Sequence, residues 1–272
     1  MKRKAFSLIE MSIVLVILGL LVASVVTSTG MIGQAKIRAV VSEITNLRVA
    51  VESFRGAYNL QLPGDISNAY DFWPGECGAN STGPAGCNGN GNQYIGFDNH
   101  ESGVVESYRF WQHLSLSKMF DYNATGVVNA SAPLTNAENM YESGSLEGAI
   151  YWPQFAYDWG AGQFYSNDIK NSNFFILGRP HATLETPVDK AISPASAYNI
   201  DIKIDDSKPR TGKIKAYNYN DSTNGWEGTT STYASGTECT SVGAVNRTDN
   251  ELVDAVYTIA LESEECILFI DF

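Results

Sequence analysis

Hydrophobic and polar positions along this chain fall into three regimes. From Phe6 to Val26 the residues are almost all apolar, and Glu10 is the single charge. A run of this length approaches the ~20 residues that a helix needs to cross a ~30 Å hydrocarbon layer. No second run of the kind follows. From Ile37 the apolar positions thin to a stripe: Ile37, Val40, Ile44, Leu47, Val51, Phe54 and Tyr58, spaced alternately three and four. That spacing keeps one helix face apolar, while Lys36, Arg38, Glu43, Arg48, Glu52 and Arg55 fall on other faces. No proline interrupts residues 6–58, so one helix of roughly 80 Å, at ~1.5 Å per residue, is predicted. Gly19, Gly30 and Gly33 are its weak points, each worth up to ~1 kcal/mol relative to Ala.

Past Tyr58 the punctuation changes. Leu62-Pro63-Gly64-Asp65 ends the helix, and residues 74–92 are so rich in Gly and Asn that they read as a surface loop. Residues 103–120 predict a second amphipathic helix, with Val104, Tyr108, Trp111, Leu114 and Met119 near one face. His113 in it reads as a packed or surface histidine. The period then drops to two. Asn173–Leu177 is a short apolar run, and Tyr198, Ile200, Ile202 and Ile204 alternate with polar residues as in a half-buried strand. A turn through Asp206–Gly212 and a return over Lys213–Tyr219 would make a hairpin. Val256–Leu261 and Ile267–Phe272 are two more strand candidates. The expected class is α+β: a long helix, an antiparallel sheet, and an inserted helix with loops.

Charge narrows the function. Lys and Arg number 18 against 30 Asp and Glu, a net charge of −12. Lys2-Arg3-Lys4 is the one dense basic run, so the body lacks the basic stripe that a nucleic-acid partner requires. Four cysteines behind an export-type N-terminus point to two disulfides in an oxidising compartment. Of three connectivities, the local one is expected, Cys77–Cys87 and Cys239–Cys266; zinc fits poorly, because no CxxC is present. Asn88, Asn90 and Asn92 alternate like the first ligands of a calcium loop. Gln93 stands where that loop needs Gly and Asn99 where it needs Glu, so a hydrogen-bonded turn competes with calcium, and no other cofactor is implied. No GxSxG, HExxH or P-loop motif occurs in a suitable context. Ala79–Gly83 only outlines a nucleophile elbow, and Asp205-Asp206 reads as a solvated turn. The five Trp and 14 Tyr suit either a core or a sugar-binding surface.

Glu10 is the residue that a signal peptide or a plain anchor leaves unexplained. A carboxylate within an apolar span costs roughly 2–3 kcal/mol even on lenient scales. A cut just upstream would supply a partner, a new α-amino group at nearly the same depth. Here Lys2-Arg3-Lys4-Ala5-Phe6-Ser7-Leu8-Ile9-Glu10-Met11 resembles the leader of type IV pilins and type II secretion pseudopilins. The resemblance implies cleavage between Ala5 and Phe6 by a prepilin peptidase, N-methylation of Phe6, and an assembly role for Glu10. Ala5 departs from the Gly usual before the cut.

The body is similar to a pilin head, a sheet laid on the second half of the long helix. Leu62-Pro63-Gly64-Asp65, Trp111-Gln112-His113-Leu114 and the 201–206 segment resemble a group of large prepilin-type proteins without an assigned activity. The resemblance divides the chain into leader 1–5, a transmembrane and filament-core helix 6–33, and a head 34–272. It implies a non-enzymatic subunit, single-pass in the bacterial inner membrane with a periplasmic head, then part of a pilus or pseudopilus. Its partners would be the peptidase, other subunits, the inner-membrane assembly platform and the bilayer. The alternative is a membrane-anchored binding protein or enzyme with a carbohydrate-binding head.

Overall fold

The first helix, α1 (Leu8–Ala57), runs for 50 residues. It belongs to a computed structural model that describes residues 7–82, 86–96, 106–126, 139–156, 169, 172–181, 186–217, 219–220, 225–226, 239–241 and 254–272. The side chains of residues 25–30, 219–220 and 225–226 lie outside that description, as do Ala5 and Phe6 altogether. Along the second half of α1 the spaced stripe is the buried face: Ile37, Val40, Ile44, Leu47, Val51 and Phe54 join the main core, and Tyr58 stacks on Phe54. Along the first half the apolar side chains are exposed, from Leu8 to Val22.

Two expectations for that first half require correction. Among the described residues no helix is long and apolar enough to cross a membrane. Glu10, Ser12 and Ser24 interrupt the apolar run of α1, and a charge inside such a span is costly. The membrane-spanning half of the expected fold, and the single-pass inner-membrane topology drawn from it, are therefore set aside. What stands is an α+β fold with an N-terminal helix and an antiparallel sheet.

The remaining elements are α2 (Ala69–Phe72), α3 (Glu106–Leu116), β1 (Tyr141–Glu142), β2 (Ile150–Phe155), β3 (Asn173–Gly178), α4 (Pro194–Ile204), β4 (Ile214–Tyr217), β5 (Tyr219–Asn220), β6 (Gly225–Trp226) and β7 (Ile267–Asp271). Five strands form one antiparallel sheet in the order β1-β2-β3-β7-β4, and β5 pairs with β6. Every residue of β2 is buried, as is nearly all of β3 and β7. Such strands carry no alternation in sequence, which is why β2 gives no signal. Pro153 fits in β2 because β1 pairs only as far as Tyr151, leaving no ladder bond for the missing N–H to make on that side.

Two polar side chains of α1 tie it to the sheet and the turn beside it. Glu43 accepts the hydroxyls of Ser143 at 2.7 Å, Ser145 at 2.9 Å and Tyr151 at 3.0 Å. Arg48 Nε donates to the Asp271 carbonyl at 2.9 Å. The segment expected to form a strand at Tyr198–Ile204 is helix α4 instead. Ser193 caps it by accepting the Ser196 N–H, Pro194 occupies its first turn, and Lys203 its last, a full set of helix signals. Ala197, Ile200 and Asp201 face inward, while Ile202 is 51% exposed. The expected hairpin therefore does not form: β4 pairs with β7, Ile214 opposite Ile270. Tyr257 makes one isolated bridge, to Thr240, where a strand over Val256–Leu261 was expected.

Candidate functional site

The N-terminus of α1 is built by a local hydrogen-bond pair. Ser7 is the N-cap, and its hydroxyl accepts the Ile9 N–H at 3.4 Å. Glu10 Oε2 accepts the Ser7 N–H at 2.8 Å. This is the Ser-x-x-Glu capping box, in which two unpaired helix-end donors are satisfied reciprocally. The sequence contained the signal in Ser7-Leu8-Ile9-Glu10. It was hidden by the apolar run, which drew attention to the depth of the carboxylate rather than to its helix position. Downstream, Leu8 is 91% exposed, and Ile9, Met11, Ile13 through Leu18, Leu20, Leu21 and Val22 are exposed with it. Contiguous apolar surface of this kind marks an interaction face.

Beyond α1, α3 grips the first disulfide. Cys77 and Cys87 are bridged, and so are Cys239 and Cys266. Arg109 and Gln112 donate to the Cys77 carbonyl at 3.2 and 3.3 Å. His113 lies between two backbone groups: its Nδ1 accepts the Gly64 N–H at 2.9 Å, which leaves the Nε2–H to donate to the Cys87 carbonyl at 2.9 Å. Full burial drives the His113 pKa down to about 3, and the nearby Arg109 charge adds to the effect. The imidazole is thus a neutral structural bridge. Burial lowers Arg109 to about 10, so it stays charged at neutral pH.

The asparagines proposed as calcium ligands have other work. Asn88 Oδ1 accepts the Tyr70 N–H, Asn90 Oδ1 the Asn92 N–H, and Asn92 Oδ1 the Tyr94 N–H, each at 2.9 Å. The last two are turn-forming bonds of the Asx kind. The same loop wraps two buried carboxyls that the sequence reading passed over. Asp65 accepts N–H groups from Gly91, Asn92 and Gln93, and Glu106 accepts those of Asn90 and Gly96. The two side chains thus sit on the adjacent N–H groups of Asn90 and Gly91. Burial pushes both pKa values up, and Asp65 raises Glu106 further.

A second acidic group lies at the end of α4. Asp201, Asp205 and Asp206 each offer an oxygen, all within 4.8 Å of one another, a weak cluster able to coordinate a divalent ion such as calcium. Its oxygens also organise the turn into β4. Asp201 accepts the Tyr257 hydroxyl at 2.7 Å and the Ser207 N–H at 3.1 Å; Asp205 accepts the N–H groups of Lys213 and Ile214; Asp206 accepts the Lys208 N–H. Burial raises Asp201 to about 7, and Asp206 and Asp205 raise it too. Asp201-Ile202-Lys203-Ile204-Asp205-Asp206 was visible in sequence, yet the strand reading placed these carboxylates on a hairpin. The helix brings Asp201 back beside the other two.

Among known protein families, residues 1–26 match the prokaryotic N-terminal methylation motif. Comparison with curated proteins and with solved structures returns no significant match. The N-terminus therefore carries a prepilin-type processing and methylation signal, consistent with the pilin and pseudopilin superfamily in general. Such a signal implies processing by a peptidase.

Proposed function

We propose that the protein is a structural subunit, a minor pilin or pseudopilin, of a type IV pilus-like or type II secretion filament. A prepilin peptidase cuts between Ala5 and Phe6, Phe6 is N-methylated, and the subunit assembles through its N-terminal helix. The observation that supports this reading best is the exposed apolar first half of α1, continuous with a second half whose own apolar stripe is already buried in the head. One helix thus presents an unsatisfied apolar surface beyond a folded body. Neighbouring copies of such a helix bury that surface, at about 25 cal/mol per Å² of apolar area removed from water.

Glu10 sets the register in this reading. One carboxylate oxygen caps the helix through Ser7, and the charge is offered to the methylated amine of Phe6 on a neighbour. Among packed apolar helices, an ion pair offsets its desolvation only when the partners meet well, so wrong registers are penalised. The large head favours a minor or specialised subunit, and the weak acidic cluster at α4 gives no reaction by itself. The inner-membrane assembly platform and the other subunits are the partners that this role requires. Filaments sheared from cells carrying Glu10→Val are expected to lack the protein while cleavage proceeds normally. Wild-type levels of Glu10→Val in those filaments would refute the assembly role.

A further inference from the structure

Asp65 and Glu106 are both fully buried, and they come from distant parts of the chain, the turn after α1 and the first residue of α3. Between them they accept the N–H groups of Asn90, Gly91, Asn92, Gln93 and Gly96, at 2.6–3.1 Å. Buried together on the adjacent N–H groups of Asn90 and Gly91, the two carboxyls need one proton between them, because two buried carboxylates so close repel. The close approach is built into the backbone: Gly64 has φ +87°, and a Cβ there would lie 2.4 Å from the Glu106 carbonyl oxygen, while a Cβ on Gly89 would lie 2.4 Å from the Asp65 Cα.

We propose that this pair is a proton-dependent latch, in which one proton shared by Glu106 and Asp65 holds segment 89–96 against α3 and its loss releases the segment while the sheet stays folded. The other titratable groups on the surrounding elements do not substitute for the proton. On α3, Arg109 is engaged with the Cys77 carbonyl and Gln112 Oε1, and His113 bridges Gly64 and Cys87. Tyr94 in the segment packs on Phe155. Asp71 on α2 and Glu76 beyond it could only add negative charge. From β3, neutral Asn173 accepts the Ile95 N–H and donates to the Gln93 carbonyl, contacts indifferent to pH. Deprotonation therefore leaves two adjacent buried charges whose simplest relief is to admit water by opening the loop.

Hydrogen–deuterium exchange of the full-length protein, followed from about pH 5 to pH 9 and corrected for intrinsic rates, tests the latch independently of filament assembly. The opening constant of segment 89–96 is expected to rise about tenfold per pH unit, as for a one-proton linkage, until the pair is fully ionised. Amides of β3 and β7 keep their protection. Glu106→Gln, neutral and of the same shape, flattens the profile; should it fail to fold, Asp65→Asn removes the partner charge and flattens it likewise. A wild-type profile independent of pH, or an unchanged slope in a folded variant, overturns the proposal.

Discussion

Glu10 closes a capping box with Ser7, its Oε2 taking the Ser7 N–H at 2.8 Å. The residue therefore has a local role as well as the proposed one between subunits, and the two separate by substitution. Glu10→Gln keeps a capping acceptor but removes the charge. Ser7→Ala removes the hydroxyl cap, at a cost of about 1 kcal/mol to the helix end, and keeps the charge. Quantifying subunit incorporation in sheared filaments is expected to show loss for Glu10→Gln and near-normal levels for Ser7→Ala. The reverse pattern would make Glu10 a cap only.

The disulfides differ in what they close. Cys239–Cys266 spans 27 residues and Cys77–Cys87 spans 10, and the shorter loop is already pinned by Arg109, Gln112 and His113. In the chain-entropy relation the longer closure contributes roughly 3–4 kcal/mol. Cys239→Ser is expected to lower the thermal midpoint more than Cys77→Ser does, read by circular dichroism on the oxidised proteins.

His113→Ala would leave the Gly64 N–H and the Cys87 carbonyl buried without their partner. Each such group costs about 1–3 kcal/mol, so a strong destabilisation is expected in chemical denaturation. Gly64→Ala acts on the same junction through sterics and through φ +87°, and a loss above ~1 kcal/mol is expected.

Stability should also depend on pH in a definite direction. Asp201 is raised to about 7 in the fold from an ordinary carboxylate value near ~4. The folded state thus holds a proton that the unfolded state releases, and stability present at low pH is lost as pH rises through about 7. His113 has the opposite sense: its depressed value, about 3, adds stability above ~6.5 that disappears as pH falls. Above that point the histidine contributes no slope. Between pH ~4 and about 7 the Asp201 loss and the His113 gain oppose each other, so Asp201 is read by difference. The thermal midpoint of wild type relative to Asp201→Asn is expected to fall as pH rises from ~4 to about 7 and to stay constant above; a difference independent of pH would remove Asp201 as a cause.

Much of this was legible in the residues themselves. The three-four spacing from Ile37 to Tyr58 specified the buried face of α1, and the N-terminal decapeptide carried the processing signal. Asn173–Leu177 and Ile267–Phe272 were readable as strands because apolar β-formers were bounded by turns. Tyr198–Ile204 misled because isoleucines at every second position fit a strand, while the deciding signals, Ser193 and Pro194, lay just upstream of the window. The span read as crossing a membrane rested on apolar length and on the leader's resemblance, and the described helix does not support it. The meeting of Asp65 and Glu106 on one loop could not be read at all, since a pairing across distant sequence is made by tertiary folding. Each carboxylate alone looks like a solvated or capping residue.

The processed N-terminus offers the most direct test of the filament-subunit reading. Mass spectrometry of the N-terminal peptide, from protein recovered from its native cells, is expected to find a chain beginning at N-methylated Phe6. A mature chain that retains Met1, or one that begins well inside α1, would contradict it.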